Sequence, residues 1–129
     1  FLLTGCVHLY DTVSIKENPI YYNTLIKGSI SEVMTCVSES IDQNAYIEDS
    51  WTGNRRYSQE VRAIPNSGKG LIGLSVAIHL IGLVEFKTVK ESTKVLFYAH
   101  ETQNEFPCDY MYSKCVRDKF INAIKACEK

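Results

Sequence analysis

No sign of charge dominates this chain: 14 Lys and Arg stand against 15 Asp and Glu, a formal net charge of -1. Affinity for phosphate backbones follows accumulated positive charge, so composition gives no reason to expect nucleic acid, or a general attraction to anionic membrane. Only Arg55-Arg56 and the Lys-containing C-terminus are locally basic. An uninterrupted apolar run of the roughly 20 residues needed for a membrane-spanning helix is also missing. So are internal repeats and low-complexity tracts, which excludes a solenoid. Chemical signatures are sparse. No C-x-x-C occurs and the three histidines stand apart, which argues against a zinc site. Ser75 lies in Gly-Leu-Ser-Val rather than in a G-x-S-x-G elbow, and Gly68-Lys69-Gly70 lacks the spacing of a phosphate loop. The expectation is a chain without metal, cofactor or catalytic residues.

What is present is one strongly apolar stretch, Gly70 to Phe86, GLIGLSVAIHLIGLVEF. Taken two residues at a time, one side reads Ile72, Leu74, Val76, Ile78, Leu80, Val84 and Phe86, large and apolar except for the break at Gly82. Gly73, Ser75, Ala77, His79, Leu83 and Glu85 form the other set. This is the period of a strand with one buried face. A buried helix is the rival, Gly73 and Gly82 weaken both, and alternation alone does not separate one strand from two.

The flanking segments are arranged to cover that stretch. Ser29-Ile30-Ser31-Glu32 has the form of a capping box, and Ile30, Val33, Met34, Val37 and Ile41 follow at helical spacing, predicting an amphipathic helix of about three turns. Tyr57 to Ile64 alternates as a half-polar strand before the turn Pro65-Asn66-Ser67-Gly68. Lys94 to Thr102 alternates again, with Val95, Phe97 and Ala99 on one side and Leu96, Tyr98 and His100 on the other. Asp109 is a plausible N-cap for a last helix with Tyr112, Val116, Phe120, Ala123, Ile124 and Cys127 on one face, and Lys114, Arg117, Asp118, Lys125 and Glu128 on the other. With 129 residues the chain suits one core. The expected fold is α+β: an antiparallel sheet of three to four strands in a meander, two helices packed on one face and the other face polar. His8 to Asn23 reads as a linker, with its paired tyrosines packing over a domain edge, and 24–129 as the single domain.

The opening residues, Phe1-Leu2-Leu3-Thr4-Gly5-Cys6, are read as the end of a longer leader. Leu3-Thr4-Gly5-Cys6 resembles the lipobox of bacterial lipoproteins: an apolar residue three before the Cys, a small residue two before it, Gly next to it, then the Cys itself. The resemblance implies that 1–5 are the remnant of a signal peptide removed by cleavage. It also implies that the Cys6 thiol carries a diacylglycerol and that its new amino group is acylated. Two or three acyl chains hold a protein firmly, at about 0.8 kcal/mol per buried CH₂. Val7 after the Cys, where many inner-membrane lipoproteins have Asp, implies the outer membrane, facing the periplasm. The resemblance covers this short stretch and says nothing of the fold.

Export would make the remaining cysteines, Cys36, Cys108, Cys115 and Cys127, candidates for two disulfides. Helices lying side by side would let Cys36 reach Cys115 or Cys127, with Cys108 bonding the other; spacing does not order these pairings. The functional expectation is a non-catalytic lipoprotein of the cell envelope, attached to the membrane through Cys6 and binding an envelope protein or other envelope component. Trp51 beside Arg55 and Arg56 is the candidate binding surface, offering an aromatic and two forked cations. One alternative is a carrier with an apolar cavity lined by Leu74, Val76, Ile78, Phe86, Phe97 and Phe120. Another is a small hydrolase using His100 or His79 beside a nucleophile.

Overall fold

The computed structural model describes residues 14–44, 58–64, 66–76, 79–99 and 114–128. Five strands are described: β1 (Ile20–Lys27), β2 (Ser58–Ile64), β3 (Lys69–Val76), β4 (His79–Val89) and β5 (Ser92–Ala99). Two longer helices accompany them: α1 (Ile30–Asn44) between β1 and β2, and α2 (Lys114–Lys125) after β5. A short helical turn at 14–16 precedes β1. The strands form one antiparallel sheet in the order β1-β5-β4-β3-β2.

The α+β class with an antiparallel sheet is as expected, and β2 to β5 form the meander. The fifth strand departs from expectation. β1 starts at Ile20, inside the segment read as linker, and pairs with β5 rather than with its sequence neighbours. The tyrosines disguise it: a bulge lies between Ile20 and Tyr22, so Tyr21 and Tyr22 both pack against the core and the alternation is lost. Tyr21 meets Phe97 edge-on at 6.2 Å between centroids, and the Tyr22 hydroxyl bonds the Glu128 carboxylate.

The stretch from Gly70 to Phe86 is two strands, not one. β3 and β4 fold back on each other with Val76 paired to His79. Such a hairpin should reverse parity, since partners across a two-residue connection differ by an odd number. A bulge around Ile81 adds one residue, so that Leu74 pairs with Gly82, Ile72 with Val84 and Gly70 with Phe86, all with even spacing. Gly70, Ile72, Leu74, Gly82, Val84 and Phe86 therefore share the helix side, and a folded hairpin imitates the period of one long strand. Leu80 lies beyond the bulge and joins the opposite face, with Leu83.

Both helices pack on the even face. The α1 box forms as expected: the Glu32 N–H donates to Ser29 Oγ at 3.2 Å, and the Ser29 N–H donates to Glu32 Oε1 at 3.0 Å. Val33, Met34, Val37 and Ile41 are buried against Ile72, Leu74, Val84, Phe86, Val95 and Phe97, while Val116, Phe120, Ala123 and Ile124 of α2 complete the same core. Gly70 lets α1 approach β3 closely, because a Cβ there would lie 2.5 Å from Met34 Sδ. Gln59 ties edge strand β2 to α1 by donating to the Ser38 carbonyl at 3.0 Å and to Asp42 Oδ1 at 2.9 Å. Arg117 differs from its expected polar placement. It is 7% exposed, and its guanidinium lies 4.3 Å from the Tyr21 ring centroid, a stacking that β1 makes possible.

The opposite face is not wholly polar either. Ile15 sits on Leu80, Leu83, Leu96 and Tyr98 in a second, smaller apolar cluster. Only part of this face is left to solvent.

Candidate functional site

Among the cysteines, the structure joins Cys36 to Cys127 in a disulfide, with Cα atoms 6.1 Å apart across 91 residues of sequence. The apolar periods of α1 and α2 bury both helices on one sheet face and so set them side by side. Ser40, one turn beyond Cys36, donates its hydroxyl to the Ala123 carbonyl at 2.7 Å, which fixes the two helices in the same register as the disulfide. Cys115 is also disulfide-bonded.

Beside the Cys36–Cys127 bridge runs an open groove of about 620 Å³, walled by Ser31, Glu32, Thr35, Glu39 and Gln43 of α1 and by Ala126 near the chain end. Its polar groups come largely from an exposed helix flank with no basic residue in the α1 sequence. Glu32 is committed to the cap. The Ser29 backbone N–H, then its hydroxyl, hold the Glu32 carboxyl below its ordinary range, so it is an acceptor at neutral pH and a poor general acid. The groove offers acceptors and hydroxyls to a polar ligand, without a nucleophile held by a base.

Over the second cluster, Lys16 forms an ion pair with Glu85, whose Oε1 lies 3.5 Å from the Tyr98 hydroxyl. Burial, then the negative charge of Glu85, push the Tyr98 hydroxyl up from its ordinary value, so it stays neutral across the physiological range. The arrangement pins the turn at 14–16 to the sheet. No local signal reveals it, because Lys16 and Glu85 are 69 residues apart.

The remaining sequence candidates are not gathered into one place. Cys6, Trp51, Arg55, Arg56, His100 and Cys108 lie outside the described residues, and His79 is described only as the first backbone position of β4. Four members of the expected carrier lining, Leu74, Phe86, Phe97 and Phe120, are buried in contact within the main core. Phe97 and Phe120 meet edge-on at 6.1 Å, and a Cβ on Gly82 would lie 3.1 Å from Phe97 and 3.3 Å from Leu74, so these four described side chains pack closely on their neighbours. Among the described residues no group of three or more His, Cys, Asp or Glu is placed to hold a metal ion. No described helix is long and apolar enough to cross a membrane.

The chain matches no family model and no curated protein.

Proposed function

We propose that this chain is a lipoprotein of the cell envelope, attached to the outer membrane through a lipidated Cys6, facing the periplasm and acting by binding an envelope component. The observation that carries the reading is the order Leu3-Thr4-Gly5-Cys6, which sets an apolar, a small and a glycine residue before the one side chain able to form a thioether. The disulfide between Cys36 and Cys127 supports it independently, because such bonds persist in oxidising compartments and are rare where glutathione keeps thiols reduced. Cys115 is bonded as well. Cys6 supplies localisation, and the domain supplies a rigid surface whose helix layer is locked covalently.

Metabolic labelling of the host with an alkyne fatty acid tests this. The native chain is expected to carry label and to stay with membrane through a high-salt wash, and to lose the label and the salt-resistant attachment in a Cys6→Ser variant. A native chain that takes no label, or that high salt strips from membrane, would overturn the reading.

A further inference from the structure

On the sheet face away from the helices, the register assembles a row that no segment of sequence displays. Leu25 of β1, Lys94 of β5, Lys87 of β4, Lys69 of β3 and Ile64 of β2 are successive cross-strand partners. The neighbours Ile26, Val95, Phe86 and Gly70 point to the helix side, so these residues project the other way. Five strands at about 4.8 Å make the row about 19 Å long. The next row toward the β4–β5 turn holds Lys27, Ser92 and Val89, and Lys90 sits in the turn. Glu91 is the one acid in that turn.

Like charges placed directly opposite each other on a sheet weaken it, and here three lysines stand side by side. Among the described residues no carboxylate bridges them: on the same face Glu85 is paired with Lys16 and Glu60 with Arg62. Around the row, Leu25 is 58% exposed, Ile64 46% and Val89 40%, so it is flanked by large apolar side chains as well as uncompensated cations. Acids gather elsewhere, with Glu32, Glu39 and Asp42 on α1. The near-zero net charge of the chain thus conceals a basic sheet end set apart from an acidic helix.

We propose that this end of the sheet is a docking surface for an anionic lipid bilayer. The ammonium groups of Lys27, Lys69, Lys87 and Lys94 meet headgroup phosphates, their methylene stems lie along the sheet, and Leu25, Ile64 and Val89 enter the boundary between headgroup and acyl chain. Apolar residues at both ends of a lysine row suit a lipid interface, which has an anionic layer over a hydrocarbon one. An acidic polymer would satisfy the lysines alone. The surface stands without acylation of Cys6, although an anchor there would assist it: the eight residue-to-residue steps from Cys6 to Ser14 reach at most about 28 Å.

The test uses the full chain carrying Cys6→Ser, so that no acyl group contributes, with vesicles of phosphatidylcholine alone and of phosphatidylcholine mixed with phosphatidylglycerol. The chain is expected to bind the mixed vesicles, to ignore the neutral ones, and to be released by added salt. Replacing Lys69, Lys87 and Lys94 together by Gln is expected to weaken binding on the order of a hundredfold, from about fivefold per lysine. The same variant should melt no lower than its parent, because a repulsive row has been removed, which separates lost docking from lost folding. Equal partition onto both kinds of vesicle, undiminished binding by the triple variant, or capture by a soluble polyanion with none by vesicles would each overturn the proposal. Because acylation of Cys6 is read by labelling in the host, the two proposals fail separately.

Discussion

The two faces of this sheet are made from the same strands and do different work. Toward the helices, Ile72, Leu74, Val84, Phe86, Val95 and Phe97 are all buried, and two helices joined by a disulfide cover them. Away from the helices, the apolar contact among the described residues is the cluster around Ile15, and beside it the face presents lysines and exposed aliphatic residues. One face therefore carries most of the stability and can be locked. The other carries little and is free to be shaped by what it touches, and even stores repulsion that a purely structural face would have lost.

The contrast is broken most severely from the helix side. Phe120→Ala, in the contact joining α2 to β5, is expected to cost about 3–5 kcal/mol, read as a fall in the denaturant midpoint at unchanged slope. Replacing Cys36 and Cys127 together by Ala should cost about 2–4 kcal/mol by the same measurement. Its larger consequence should be faster hydrogen exchange in α1 and α2 than in β4. On the other face, Leu83→Ala is expected near the low end for buried leucines, about 2 kcal/mol, because a small cluster under a short turn collapses into the space more easily than a helix-covered core. A cost equal to that of Phe120→Ala would erase the distinction between the faces.

The smallest effect concerns the α1 cap. The Glu32 carboxyl is held below its ordinary range in the fold, so its contribution is complete above the range where the unfolded carboxyl titrates, and is lost as pH falls through the folded value. Glu32→Ala should thus lower the melting temperature slightly near neutrality, and the gap to the parent should close in acid. A gap that widened in acid would contradict the sign.

The parts of this architecture that depend on neighbours in sequence were legible, and those that depend on register were not. The capping box at Ser29, the apolar stripe of α1 and the sidedness of Val95, Phe97 and Ala99 are local periods, and each appears as read. Residues 70–86 gave the correct face for Ile72, Leu74, Val84 and Phe86 but left the number of strands open, since a bulge restored the parity that the hairpin should have reversed. β1 was hidden by another bulge, and with it the aromatic surface that buries Arg117. The Cys36–Cys127 bond was one of the pairings the helices allowed, yet only their packing selects it. The lysine row was invisible for the plainest reason. Its members come from three strands, and a net charge of -1 averages them against acids on the far side of the molecule.

The division of labour between the faces is tested most directly by lysine footprinting. The Cys6→Ser full chain is acetylated briefly, with and without vesicles containing phosphatidylglycerol, and each site is read by mass spectrometry. The account predicts that Lys27, Lys69, Lys87 and Lys94 become protected while Lys119 and Lys125, exposed on α2, react as before. Protection centred on α2, or unchanged reactivity throughout the sheet, would contradict it.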